Sequence, residues 1–295
     1  MWWERRRRRW SVVLGAVLLC LCTLLTVLSA TRARSSRAGP EELRIATWNM
    51  CGVRQWGCED TGSRRQKIDA VEELATAGGA GVIMLQEVCA DDLALARKEL
   101  GGSWHSTFQA YSYRAADGTD TPVRCAQRLG GTAGIAVLAS SPLSHVEQVP
   151  TPQPVVGLRR GIRCATVATR DVQVCDAHLS LVGADKAHPR WEYRDDQLAA
   201  LFGAAGPRTV FGGDLNSSPP TAADDTYRWI WPDEAYRRYR ECDQASPSSR
   251  AGRDTHASGS KLDYEFTALP RTGCAVRDTG VSDHRALVMT VRTGQ

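Results

Sequence analysis

Two short segments carry side chains suited to chemistry: GGDLNSSP at Gly212–Pro219 and SDHRALV at Ser282–Val288. Each follows an apolar or β-prone run, so its polar side chains stand where a strand ends. A divalent cation needs hard oxygen ligands, and water attacking phosphorus needs a base beside it. Carboxylates, an amide and an imidazole at strand ends are the chemical stock of a metal-dependent phosphodiester site. Asp214 and Asn216, two apart, would share one face of an extended segment. That suits a carboxylate that orients or deprotonates water beside an amide that holds phosphate or nucleophile. The blander reading is an Asx turn before Pro219 and Pro220. Asp283 and His284 are adjacent, so in an extended segment they would face opposite ways.

Eight strand-like runs must position these groups: LRIATWN, GVIMLQEV, GIAVLAS, IRCATVAT, VQVCDAHL, RTVFGGDL, LDYEFTAL and HRALVMTV. They alternate with long loops and with helical patterns at Arg64–Ala77 and Glu192–Phe202, where apolar residues recur at helical spacing. Strands outnumber helices, which points to sheets packed on each other with helices outside, an α/β (α+β) architecture, rather than a doubly wound nucleotide fold. No Walker loop, no GxGxxG after a first strand and no internal repeat is present. At 295 residues, about two-fifths of them apolar, the chain suits one large domain.

Read in order, the strand ends carry Asn49 in TWNMCG, Glu87 in LQEV, His178 in DAHLS, Asp214 and Asn216 in GGDLNS, Asp263 in KLDYEF, then Asp283 and His284 in SDH. This ordered set resembles the endonuclease/exonuclease/phosphatase superfamily, which includes secreted deoxyribonucleases, apurinic-site endonucleases, sphingomyelinases and inositol-phosphate phosphatases. The resemblance spans Leu43–Val291. It implies a four-layer sandwich, two mixed β-sheets face to face with helices outside and the site across one open edge. It assigns Glu87 to Mg2+, or Mn2+ in its place, with Asn49 and Asp283 completing the metal set. Asp214 would position water, and His284 would donate to a non-bridging phosphate oxygen with its tautomer held by Asp263. His178 would be the second phosphate-side histidine, protonating the leaving oxygen. Apurinic-site enzymes tend to carry tyrosine at that place, which turns the reading away from that branch.

The amino terminus has the run Arg5–Arg9 and then an uncharged apolar stretch, Ser11–Leu28. Residues 1–30 read as an export signal or a membrane anchor, with both cleavage and retention open. Residues 31–42, polar and Pro-containing, read as a linker, and 43–295 as the catalytic domain. Either way the arginines stay inside and the body lies outside the cytoplasm. Without the five arginines and one glutamate of residues 1–30, the 37 basic and 33 acidic residues fall to 32 of each. The body is formally neutral, so overall charge is no evidence for nucleic acid. Ten cysteines agree with export: Cys20 and Cys22 lie in the apolar stretch and eight in the body, an even number that reads as four disulfides. No CxxC pair supports a zinc-thiolate site. Cys164 and Cys175 flank an expected hairpin turning near Arg170 and should face each other across it.

Other residues receive blander readings. Arg190, Arg194 and Gln197 form a solvated helix edge, and Tyr227, Trp229 and Trp231, with Arg228, Arg237 and Arg238 nearby, read as core packing. His105, His145, His188 and His256 match no motif and are given no chemistry. The expectation is an exported, monomeric, Mg2+-dependent phosphoester hydrolase, a phosphodiesterase acting on nucleic acid. A phospholipid phosphodiesterase of the sphingomyelinase kind or a phosphomonoesterase is the alternative, with membrane contact through residues 11–28 if uncleaved. A catalytically silent surface binding module is the remote one. Loops 101–131 and 217–260 would decide the substrate.

Overall fold

The computed structural model describes residues 42–58, 60–125, 130–220 and 228–294. The expected export segment, nearly all of the linker and Tyr227 lie outside the described residues. Glu42, the last residue assigned to the linker, is the first of a strand. Among the described residues no helix is long and apolar enough to cross a membrane.

Two six-stranded sheets dominate. With strands numbered along the chain, the first sheet runs β14 (Arg271–Arg277), β15 (Ala286–Arg292), β1 (Glu42–Asn49), β2 (Val82–Cys89), β6 (Ala133–Ala139) and β3 (His105–Ala110). The second runs β12 (Arg240–Glu241), β13 (Asp263–Thr267), β11 (Thr209–Asp214), β10 (Val172–His178), β9 (Gly161–Val167) and β7 (Leu143–Val149). A small third sheet joins β5 (Asp120–Pro122), β4 (Ser112–Arg114) and β8 (Gly157–Arg159). Both large sheets are mixed: β1 with β2 and β10 with β11 are parallel, and the other pairings are antiparallel.

Alternation of side chains builds the layers. Leu43 and Ile45 of β1 and Val82 and Met84 of β2 meet Val172, Val174 and Val210 between the sheets. The intervening Ala46, Trp48, Ile83 and Leu85 face outward onto α1 (Arg64–Ala75) and α2 (Ala90–Leu100). On the far side Phe211, Phe266, Tyr264 and Tyr239 pack with Leu198, Leu201 and Phe202 of α3 (Arg194–Ala204). The four expected layers are present. Strands covered on both faces read as apolar runs without alternation, as VIML in β2 does before Gln86 and Glu87.

All eight expected strands form. The helices expected at 64–77 and 192–202 end two residues earlier and run two residues later respectively. Helix α1 begins where Ser63 and Gln66 make a capping box, and α2, not singled out in the sequence, has Asp91 and Asp92 in its first turn and Arg97 and Lys98 in its last, matching the helix dipole. Strands β3, β7 and β14 also lack a clear apolar run; their exposed or half-buried side chains leave only a weak period. Four disulfides join Cys51 to Cys58, Cys89 to Cys125, Cys164 to Cys175 and Cys242 to Cys274. Cys164 and Cys175 are directly opposite in the β9–β10 ladder, as the hairpin reading required.

Candidate active site

Sheet register sets the site. In the second sheet His178 pairs with Asp214 and Asp214 pairs with Asp263, so three chemical residues lie in one row across β10, β11 and β13. Strands β10 and β11 are parallel and end there, whereas antiparallel β13 begins there. In the first sheet Asn49 pairs with Gln86, leaving Glu87 one residue beyond. Backbones approach closely beneath this row. A Cβ on Gly212 would lie 1.8 Å from Tyr264 O, and one on Gly213, whose φ is +126°, would lie 2.0 Å from Ala177 O. Glycine is required at both places.

Asp214 is the centre. Only 2% exposed, it accepts from Asn49 Nδ2 through Oδ2 at 3.0 Å. The same oxygen is 3.3 Å from His178 Nε2 and 3.8 Å from His284 Nε2. Burial alone would raise its pKa, but His178, His284, Arg160 and the Asn49 amide together hold it below the ordinary carboxylate value. Asp214 is therefore an ionised acceptor, a group that positions water more readily than it takes a proton. Its Oδ1 accepts the Asn216 N–H at 3.0 Å, the turn that the blander reading foresaw. Asn216 has a left-handed φ of 49°, and its amide donates to Leu179 O at 3.0 Å. The strand ends at Asp214, so Asp214 and Asn216 do not share the face of an extended segment.

His284 and His178 differ in charge. Burial opposes a charged His284, yet Asp263 and Asp214 outweigh it and push the pKa up to about 10. Its Nδ1 is 2.8 Å from Asp263 Oδ2, as an orienting carboxylate requires. Asp263 is held in turn by Thr255, whose Oγ1 accepts the Leu262 and Asp263 N–H groups at 2.9 Å. The Trp48 indole donates to His284 O at 3.2 Å. His178 is 1% exposed, and burial with the nearby Arg160 lowers its pKa well below the usual value. Tyr111 Oη accepts the Glu87 N–H at 3.1 Å and lies 2.7 Å from His178 Nδ1; the ionised Asp214 carboxylate, 3.3 Å from Nε2, draws the ring proton to that side, so Nδ1 accepts from the hydroxyl. That leaves the His178 proton on Nε2, facing Asp214. His178 is thus a neutral hydrogen-bond donor, not the ready proton source expected for the leaving oxygen.

Glu87 sits at a β-bulge between Leu85 and Val88 with a φ of 52°. The irregularity re-aims its carboxylate out of the ladder. Burial pushes its pKa up to about 7, only partly offset by Arg160 and the Asn49 amide. Asn49 Oδ1 accepts the Cys51 N–H at 3.0 Å, so its amide nitrogen, rather than the oxygen expected of a metal ligand, faces the two carboxylates. Cys58 Sγ is 3.8 Å from Glu87 Oε2, and the Cys51–Cys58 sulfurs lie within 4.8 Å of an Asp283 oxygen, which places the disulfide beside both acids. Asp283 does not turn away from His284. The segment is bent, and Asp283, His284 and His256 offer ligand atoms within 4.8 Å of one another.

The donor set fits a hard divalent cation. Glu87, a buried carboxylate that resists ionisation because it is cut off from water and because Asp214 adds negative charge, is relieved by an ion at that point.

Several supporting residues were not legible beforehand. Lys67 Nζ, nearly buried, donates to Met50 O, Val281 O and Thr61 Oγ1 at 2.8, 2.6 and 2.9 Å, tying the loops after β1 and before Asp283 to α1. Arg160 is 8% exposed, donates to Leu179 O at 2.8 Å, and has a buried Nε with no hydrogen-bond partner among the described residues. In GLRRGIR nothing marks which arginine turns inward. Arg194 and Gln197, expected on a solvated edge, are buried: Arg194 pairs with Glu192 and donates to Asn216 O at 2.6 Å, while Gln197 donates to Ser180 Oγ and Pro152 O. They brace the loops after β10 and β11. Trp231 packs in the core as expected, but Trp229 is 62% exposed.

Residues 46–284 match the model of the Endonuclease/Exonuclease/phosphatase family. Among solved structures the chain is similar to D. rerio TDP2 complexed with single strand DNA product, at 15% identity over 85% of this chain and 98% of that one, TM-score 0.57. It is also similar to the human Nocturnin catalytic domain with bound sulfate anion, at 16% identity over 84% and 92%, TM-score 0.55. A third is an AP endonuclease from Archaeoglobus fulgidus, at 15% identity over 84% and 98%, TM-score 0.52. At such identities the likeness is one of fold. No curated protein matches the chain in sequence.

Proposed function

The chain belongs to the endonuclease/exonuclease/phosphatase family of phosphoester hydrolases, and on that premise we propose that it is a Mg2+-dependent phosphodiesterase cleaving nucleic acid by in-line attack of water. Asp214 carries this reading: one buried, ionised oxygen faces Asn49, a neutral His178 and a cationic His284 at 3.0, 3.3 and 3.8 Å. Such a cluster holds a water and a phosphate side by side.

Glu87 and Asp283 would hold the metal, with Asn49 orienting Glu87. When bound, the ion neutralises charge growing on the phosphoryl oxygens. Asp214 accepts a hydrogen bond from the attacking water, aims its lone pair at phosphorus and takes its proton only as the new P–O bond forms, while the P–O bond to the leaving oxygen on the opposite side breaks and that oxygen is protonated by solvent. His284, positive at neutral pH, donates to a non-bridging oxygen whose charge grows during attack, and Asp263 keeps its ring in register. His178 Nε2–H and Arg160 Nε–H, the latter unpaired among the described residues, add donors, neither of which needs to ionise during the step.

The single strand DNA product bound in the D. rerio TDP2 complex supports nucleic acid as substrate. A phospholipid is the second reading, favoured by the exposed Leu181, Val182 and Trp191 in the loop that follows His178. Export belongs to the proposal, supported by Arg5–Arg9, the apolar stretch behind it and the four disulfides. The full chain with Mg2+ is assayed against plasmid DNA, RNA, sphingomyelin and a simple phosphomonoester. Preferential cleavage of DNA or RNA is expected. Preference for sphingomyelin transfers the reading to the lipid class, and turnover of none of the four defeats it.

A further inference from the structure

His256 has no task in the proposed reaction, yet it stands against two residues that do. Its backbone forms an antiparallel bridge with His284, the Ala257 N–H donates to Asp283 O at 2.8 Å, and the Arg285 N–H donates to Thr255 O at 2.7 Å. These bonds fix the spacing of the two histidines. Their ring centroids are 4.6 Å apart at 67°. A ring nitrogen of each and a carboxylate oxygen of Asp283 lie within 4.8 Å of one another, with His256 Nε2 3.4 Å from Asp283 Oδ2. Donors about 2.1 Å from a tetrahedral ion are about 3.4 Å apart along each edge.

The donor types select the metal. Two imidazoles and a carboxylate suit Zn2+, which must displace the proton that His284 carries at neutral pH, whereas Mg2+ demands oxygen and near-octahedral geometry. His284 is anchored through its other nitrogen as zinc-ligating histidines are, with Nδ1 2.8 Å from Asp263 Oδ2; His256 Nδ1 accepts the Ser258 N–H at 3.1 Å and lies 2.8 Å from Ser258 Oγ, so zinc at Nε2 moves the ring proton to Nδ1, where Ser258 Oγ accepts it in place of the N–H donation. The side chains of His256 and Asp283 are 23% and 34% exposed, so an ion can enter and water can fill the fourth position.

We propose that His256, Asp283 and His284 form a Zn2+ site, and that zinc bound there silences hydrolysis by withdrawing His284 from phosphate and Asp283 from Mg2+. Binding stands on this cluster alone; the inhibitory consequence rests on the function proposed above.

Zn2+ is titrated calorimetrically into the full chain, freed of metal by chelator and then dialysed. The unaltered protein binds one zinc at this site, and His256→Ala or His256→Gln weakens that affinity at least about tenfold. In Mg2+, zinc suppresses hydrolysis of bis(p-nitrophenyl) phosphate over the concentration range in which it binds. His256→Ala keeps its Mg2+ turnover and needs at least about tenfold more zinc for the same suppression. Equal zinc affinity in the unaltered protein and both variants overturns the site. Zinc that binds through His256 and leaves turnover intact overturns the inhibitory half. Absence of turnover in the unaltered protein strikes the function proposed above, and the calorimetry then decides the site. Should both variants misfold, Co2+ added to the unaltered chain must give the visible bands of a four-coordinate site that zinc abolishes; their absence defeats the proposal.

Discussion

Asp214 stays ionised in a buried place because positive and donor groups surround it, and under the proposed function its replacement removes the acceptor for the attacking water. Asp214→Asn should lower kcat at least about a hundredfold in steady-state assays, whereas Asp263→Asn should cost less because the reacting groups remain in place. Asp263 also leaves a pH signature. His284 is raised from 6.5 to about 10, so its cationic form, and the stability it brings, is fully present below 6.5 and lost as pH rises through about 10. The alkaline fall of kcat/KM should move to lower pH in Asp263→Asn, and an unmoved profile would detach Asp263 from His284. Glu87 is raised from 4.5 to about 7, so protons compete with metal below about pH 7. Ionising it costs the metal-free fold stability as pH rises through that value. The gain in Tm on adding Mg2+ should therefore be larger at pH 8 than at pH 5.5, by differential scanning calorimetry.

At the scale of elements, the row His178, Asp214 and Asp263 exists because β10, β11 and β13 approach closely at Gly212 and Gly213. Gly213→Ala places a Cβ against Ala177 O in a backbone conformation alanine avoids, and urea unfolding should show a loss of more than about 2 kcal/mol. The hairpin β9–β10 is tied by Cys164–Cys175 far from solvent. Replacing both cysteines by alanine should cost roughly 2–4 kcal/mol and leave kcat nearly unchanged, since the row at its end is still held by β11. A comparable loss of kcat would show that the hairpin's tether reaches the site.

For the molecule as a whole, the two sheets pack through apolar residues that need no metal, and Gln86 bridges them by donating to Thr47 Oγ1 at 2.9 Å and to Asp176 Oδ1 at 2.5 Å. Asp176, fully buried, is pushed well above the carboxylate range. The fold should accordingly survive what the activity does not. EDTA should abolish hydrolysis while the far-UV circular dichroism stays unchanged, and Mg2+ or Mn2+ should restore turnover. Full activity in chelator would remove the metal from the reading.

The sequence by itself determined the strands buried on both faces, the ordered polar residues at their ends and the Cys164–Cys175 pairing, because apolar runs and ladder opposition are local properties. Through their order, and the family resemblance that the order carries, it also singled out Asn49, Glu87, His178, Asp214, Asp263 and His284. Tertiary structure alone decided what each does there. The neutrality of His178 comes from burial and from Arg160, its other ring nitrogen is held by Tyr111, 67 residues away, and the charge of His284 comes from carboxylates on two other strands. Asn49 turns its nitrogen inward because the Cys51 N–H takes its oxygen. Arg160, Lys67 and His256 have no pattern along the chain, since burial and hydrogen-bond partners depend on which loops the two sheets bring together. A side chain's place on a strand is set by its neighbours in sequence, but its charge and its hydrogen bonds are set by its neighbours in space.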